Sequence, residues 1–178
     1  MEFKQGCMLV LGGAKSGKSS YALDICNRSG KKRIFLATAQ AEDREMKERI
    51  LRHQAERGPE WLAIEEPVEI AAVIREMDRK DTIILVDCLT MWLNNLFMKH
   101  KEDRKEIDRS IETLVNQLPD IHGAIILVSN EVGTGIVPAN PLSRRYRDYA
   151  GLLNQQVATA ANKVVAVFAG IPMALKDM

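Results

Sequence analysis

The residues with the clearest chemical purpose are Gly12, Gly13, Ala14, Lys15, Ser16, Gly17, Lys18 and Ser19, spaced as G-x-x-x-x-G-K-S. This is the phosphate-binding P-loop spacing. Gly12 and Gly17 let the backbone turn tightly and come close to a polyphosphate with no side chain in the way. Successive backbone N–H groups and the positive end of a following helix then face the anion. Lys18 brings a mobile point charge to the β- and γ-phosphates, and the Ser19 hydroxyl suits Mg²⁺. The motif follows the apolar run Cys7–Leu11 and precedes a helical pattern. That context separates a working P-loop from an incidental glycine-rich turn.

Asp87 ends the apolar run Ile83-Ile84-Leu85-Val86. An acidic residue at the end of a strand beside the P-loop strand can hold Mg²⁺ directly or through water. The alternative is an Asp that stops a strand and caps the next helix.

The stretch Glu42–Arg57 is charged and long. At ~100° per residue, Met46, Ile50, His53 and Arg57 share a sector of about 60°. His53 therefore sits on the inward face of a predicted helix, with Arg49 one turn before it and Arg57 one turn after. Two guanidiniums beside an imidazole make an anion site and hold the ring neutral by like-charge repulsion. A neutral imidazole near phosphorus is a potential nucleophile. The alternatives are a hydrogen-bonded core histidine, and arginines paired with Glu45 or Glu56.

The segment Ser129–Pro138 is a polar, glycine-bearing loop after another predicted strand, where this architecture binds ligands. An ordinary strand-to-helix connection would need few of its residues. Arg144, Arg147 and Asp148 follow at the start of a helical pattern. They either reach an anion or pair with one another.

Five short, near-continuously apolar runs read as buried parallel strands: Cys7–Leu11, Arg33–Thr38, Thr82–Asp87, Ala124–Ser129 and Lys163–Ala169. Helical patterns lie at Ser20–Ser29, Glu42–Arg57, Pro67–Arg79, Glu102–Leu118 and Leu142–Asn162. Alternating β and α predicts a doubly wound, mainly parallel α/β sheet of the P-loop NTPase type, with helices on both faces. Right-handed connections put the chemistry at the carboxyl ends of the strands. With 178 residues and no linker or repeat, one catalytic domain spanning residues 1–178 is expected.

The composition narrows the partners. A net charge of +1 gives no electrostatic case for nucleic acid or an anionic membrane. No apolar run approaches the roughly 18–20 residues of a membrane span. No signal-peptide pattern opens the sequence. Cys7, Cys26 and Cys88 are scattered and odd in number, which argues against a disulfide framework or a zinc site. The expected compartment is the reducing cytoplasm.

Taken together, these residues resemble the bifunctional adenosylcobinamide kinase / adenosylcobinamide-phosphate guanylyltransferase family. The likeness runs through Gly12–Ser19, Ala37-Thr38-Ala39, Glu45-Met46, Arg49-Ile50, His53 and Trp61–Glu65. It continues through Asp87-Cys88-Leu89-Thr90, Trp92, Asn94, Asn130-Glu131-Val132-Gly133 and Gly135–Pro138. Arg147-Asp148, Gly151, Asn154 and Ala169-Gly170-Ile171-Pro172 complete it. The resemblance implies two reactions of cobalamin biosynthesis. Adenosylcobinamide is phosphorylated by ATP or GTP, and GMP from GTP is then transferred to adenosylcobinamide phosphate. It implies that His53 becomes guanylylated. It also implies nucleotide contacts at Gly12–Ser19, Ala37, Thr38, Ala39, Gln54, Ala55, Glu56, Arg57, Glu65 and Asp87. A homotrimer with sites near subunit interfaces is the oligomer it implies. Some members carry Glu where this chain has Asp87, a difference in reach of one methylene.

Overall fold

The computed structural model describes residues 3–40 and 58–177. The order is β1 (Gly6–Gly12), α1 (Lys18–Arg28), β2 (Lys32–Ala37), β3 (Trp61–Glu65), α2 (Ile70–Met77) and β4 (Thr82–Asp87). Then come α3 (Leu89–Lys99), α4 (Arg104–Gln117), a 3-10 turn (Leu118–Asp120), β5 (Ala124–Asn130), α5 (Pro141–Ala160), β6 (Lys163–Phe168) and β7 (Ile171–Asp177). The strands form one sheet ordered β3-β2-β4-β5-β1-β6-β7. All neighbours are parallel except β7, which runs antiparallel to β6. The five strands expected from the sequence are present.

Each central strand buries both faces, so its successive side chains enter two separate cores. Cys7 and Leu9 of β1 join the core formed with Ile74 of α2, Trp92 and Leu96 of α3, Ile111 of α4 and Leu153 of α5. Met8 and Val10 point to the opposite core, which includes Ala22, Leu23, Ile25 and Cys26 of α1. This two-sided burial is why the central strands read as unbroken apolar runs rather than alternating ones.

Local signals set the helix ends. Gly17 adopts φ +95° at the N-cap of α1, and Lys15 two residues earlier is also left-handed at φ 54°. The Asp103 side chain caps α4 by accepting from the Lys105 N–H, and Asn140 caps α5 through Leu142 and Ser143. Lys101 and Glu102 have positive φ, so α4 starts at Arg104 rather than Glu102. Pro67 lies before α2 rather than in its first turn, since that helix begins at Ile70.

Three elements were absent from the sequence reading: β3, α3 and β7. The pattern Glu42–Arg57, with His53, lies outside the described residues. No helix among the described residues is long and apolar enough to cross a membrane.

Candidate functional site

The carboxyl ends of the parallel strands share one edge of the sheet, and the P-loop lies there. Gly12 closes β1, and a Cβ on it would stand 2.4 Å from Ser16 Oγ and 2.7 Å from the Val167 carbonyl. A Cβ on Gly17 would come within 3.1 Å of Gly170 Cα. Gly170 donates its N–H to the Ser16 carbonyl at 2.8 Å, so the β6–β7 turn braces the loop from outside. By contrast, a Cβ on Gly13 would meet nothing within 4 Å. The loop is thus crowded on its protein side and open at Gly13.

Lys18 is buried in the first turn of α1, and its Nζ donates to the Gly13 carbonyl at 3.0 Å. Its ammonium is therefore folded back across the loop that its backbone leaves. Ser16 Oγ is buried with no hydrogen-bond partner. An orphaned donor inside a loop of backbone N–H groups is what a phosphate oxygen would satisfy.

Asp87, Ala37 and Glu65 occupy one row across the sheet edge. Asp87 pairs in register with Ala37, Ala37 with Glu65, and Asp87 with Val128 of β5. One expectation is corrected here. The Asp87 strand does not lie beside the P-loop strand, because β5 comes between β4 and β1. Two strand spacings put Asp87 about 10 Å across the edge from β1. Strand order is a tertiary property that spacing along the chain does not encode. Asp87 does not cap the next helix either: the N-cap of α3 is Cys88, with no side-chain cap bond.

The strand beside β1 ends in Asn130, level with Gly12, and the following Glu131 N–H donates to the Gly12 carbonyl at 3.1 Å. Polar side chains knit this edge together. Asn130 Nδ2 donates to Thr90 Oγ1 at 2.8 Å, and Tyr146 Oη to the Thr90 carbonyl at 2.7 Å. Ser129 Oγ donates to Asn154 Oδ1 at 2.7 Å. Cys88 Sγ lies 3.1 Å from Thr90 Oγ1. Burial pushes the Cys88 thiol up and the Asp87 carboxylate adds to this, while Lys18 acts in the opposite sense. The net shift is upward, so Cys88 keeps its proton at neutral pH and is no nucleophile. Sequence reasoning gave no role to Asn95, Thr90 or Tyr146. A visible signal existed for Asn95, a polar residue on the buried face of an apolar helix.

Arg144 spends its Nη1 on the Pro138 and Ala139 carbonyls at 3.0 and 2.6 Å, and Arg147 pairs with Asp148 at 3.4 Å. The Arg147–Asp148 contact follows the pairing alternative, whereas Arg144 bonds the backbone just before its own helix. The loop after β5 carries Ile136 with 96% of its surface exposed. Among the expected site residues, Gly12–Ser19, Ala37, Thr38, Ala39, Glu65 and Asp87 lie at this edge. His53, Gln54, Ala55, Glu56 and Arg57 are outside the described residues.

Among the described residues no group of three or more His, Cys, Asp or Glu side chains could hold a metal ion. Mg²⁺ needs no such cage, because it binds through one or two protein oxygens together with phosphates and water. The hydroxyl of Ser19 and the carboxylate of Asp87 are hard oxygen donors of the right kind. With the orphaned Ser16 hydroxyl, they suit a magnesium–nucleotide rather than a bare cation.

Comparison with known proteins shows the family. The sequence model described as cobinamide kinase / cobinamide phosphate guanyltransferase matches residues 8–175. The bifunctional adenosylcobalamin biosynthesis protein CobP of Pseudomonas aeruginosa is 46% identical over 168 residues, covering 94% of this chain and 96% of that protein. The bifunctional adenosylcobalamin biosynthesis protein CobU of Escherichia coli is 34% identical, covering 95% of this chain and 99% of that protein. Among solved structures, an ATPase from the type III secretion system of pathogenic bacteria superposes with a TM-score of 0.53 at 12% identity. That match covers 95% of this chain and 56% of the ATPase, and it speaks to the fold alone. On the residues matched and the two relatives, the chain belongs to the cobinamide kinase / cobinamide phosphate guanyltransferase family.

Proposed function

We propose that this protein phosphorylates adenosylcobinamide and then transfers GMP from GTP to adenosylcobinamide phosphate, with His53 as the covalent carrier. The observation that carries the reading is family membership along residues 8–175, with the P-loop intact and open at Gly13.

In the kinase step the cobinamide hydroxyl oxygen bonds to the γ-phosphorus of ATP or GTP. The β–γ bridging bond breaks, a nucleoside diphosphate leaves, and the hydroxyl proton is released. In the second reaction an imidazole nitrogen of His53 bonds to the α-phosphorus of GTP, and pyrophosphate leaves. A phosphate oxygen of the cobinamide phosphate then displaces His53 from that phosphorus, giving adenosylcobinamide-GDP. The chain's task in each step is to hold the triphosphate and stabilise the charge that develops on it. The P-loop N–H groups and Lys18 do this for the β- and γ-phosphates. Arg49 and Arg57, four residues to either side of His53 in the sequence, would do so for the α-phosphate. Mg²⁺, held by Ser19 and Asp87, would withdraw charge from the leaving phosphate.

A homotrimer belongs to the same reading. The β6–β7 hairpin at the sheet edge supports self-association, since Phe168, Ile171 and Met173 are exposed beside the P-loop turn. The three free, buried cysteines support action in a reducing compartment such as the cytoplasm. Steady-state assays with cobinamide test the whole proposal. Nucleotide consumption stimulated by cobinamide is expected, and indifference to cobinamide would leave only a P-loop protein of another activity.

A further inference from the structure

Thr38 was expected to touch the nucleotide, yet its polar atoms are already engaged within the chain. It is fully buried. Its N–H donates to the Asp87 carbonyl at 3.3 Å. Its hydroxyl accepts from the Cys88 N–H and donates to the Cys88 carbonyl, both at 2.8 Å. Its own carbonyl accepts from Asn95 Nδ2 at 2.7 Å, and the same amide donates to the Pro67 carbonyl at 2.9 Å. Three of the four bonds made by Thr38 therefore grip the Asp87–Cys88 pair, and the fourth fixes α3.

The grip continues across the edge. Cys88 Sγ reaches Thr90 Oγ1, Asn130 Nδ2 donates to that same hydroxyl, and the Glu131 N–H closes on Gly12. A relay of polar contacts, joined covalently within Cys88 and across Asn130–Glu131, thus runs from the end of β2, through the residue after Asp87, to the strand that carries the P-loop. Asp87 needs such support, because β5 stands between it and the P-loop strand. A carboxylate that far across the edge can serve a phosphate-bound cation only if its strand end is held at a fixed height.

We infer that Thr38 is a positioning residue for Asp87, setting the carboxylate against the P-loop through Cys88, and that it makes no side-chain contact with nucleotide. The inference rests on Asp87 serving the magnesium–nucleotide complex. Its chemistry is ordinary: a buried hydroxyl that both donates and accepts locks two strand ends together, whereas the isosteric Val can do neither.

The test compares wild type, Thr38→Val, Thr38→Ser and Asp87→Asn. The readouts are GTP affinity in EDTA, GTP affinity with Mg²⁺, Mn²⁺ affinity of the GTP complex by electron paramagnetic resonance, and thermal melting. Thr38→Val is expected to keep metal-free GTP affinity within about twofold while losing about tenfold of the metal-dependent gain, on the scale at which buried hydrogen bonds count. Asp87→Asn should show the same pattern, and Thr38→Ser should restore the gain. If Thr38→Val does not fold, Thr90→Val cuts the relay on its far side and should weaken Mn²⁺ binding in the same direction. Loss of metal-free GTP affinity in Thr38→Val would mean direct contact and overturn the inference. A lowered melting point with the metal-dependent gain intact would reduce Thr38 to a fold residue and overturn it too. If Asp87→Asn keeps the full gain, the underlying reading of Asp87 fails instead, and the inference fails with it.

Discussion

Lys18 Nζ donates to the Gly13 carbonyl at 3.0 Å, closing the P-loop with its own lysine. The ammonium is thus preorganised over the loop rather than trailing in solvent. Lys18→Ala should therefore lower both the kinase and the guanylyltransferase rates, by about 100-fold or more, the scale of removing one preorganised charge-stabilising donor. Retention of either rate would mean that the P-loop does not serve that reaction.

Gly12 and Gly13 are neighbours with opposite surroundings, and this predicts opposite phenotypes. Gly12→Ala forces a Cβ against Ser16 Oγ and the Val167 carbonyl. It should cost about 1–3 kcal/mol of stability, the usual range for overpacking. Gly13→Ala meets no protein atom. It should change stability by less than about 0.5 kcal/mol, yet weaken GTP binding because its methyl enters the space that a phosphate would fill. Denaturant unfolding together with isothermal titration of GTP separates the two effects. Unimpaired GTP binding in Gly13→Ala would place the phosphates elsewhere.

At the far end of the sheet, Asp78 anchors the turn before β5. Its Oδ1 accepts from the Gly123 N–H at 2.7 Å and its Oδ2 from the His122 N–H at 2.8 Å, with His122 Nδ1 at 2.9 Å. Burial pushes this carboxyl up, but the N–H donors and the His122 ring outweigh it and hold its pKa below the usual carboxylate value. A depressed folded pKa adds stability above the unfolded carboxylate pKa of about 3.9, and that stability is lost as pH falls through the folded value. Wild type should therefore lose stability steeply below about pH 4, whereas Asp78→Asn should lack this component. At pH 7 Asp78→Asn should be less stable by about 1–3 kcal/mol, since one backbone donor loses its acceptor. Equal pH profiles in urea titrations would contradict this.

These particulars show what the sequence encoded and what it did not. The P-loop and the strands Cys7–Leu11 and Thr82–Asp87 were legible because two-sided burial makes an unbroken apolar run. β3 was missed because this outer strand is half-exposed and mixes Trp61 and Ile64 with Glu65. β7 was missed because it is an edge strand with Pro172 inside it, a residue that a central strand excludes. α3 carried a readable signal in Leu89, Trp92, Leu93 and Leu96, whose spacing follows one helical face. The intervening β5 and the engagement of Thr38 with Cys88 were not readable, because both depend on which strand ends become neighbours.

The exposed side chains of the β6–β7 hairpin lead to a prediction about assembly. Phe168 pairs with Ile171 and Ala166 with Met173, which puts Phe168, Ile171 and Met173 on one face of the hairpin. Exposed apolar edges of this kind favour association. Light scattering should give the mass of a trimer, and Met173→Asp should shift it toward monomer. An unchanged trimer in that variant would place the subunit contact on another surface.

The covalent role of His53 is tested most directly by incubating the protein with GTP labelled at the α-phosphate and Mg²⁺. The protein should take up label that is labile in acid and stable in base, as expected for a phosphorus–nitrogen bond to histidine. His53→Ala should take up none while keeping cobinamide phosphorylation. Wild-type protein that takes up no label, or a His53→Ala variant labelled as fully as wild type, would contradict the guanylylated-histidine mechanism.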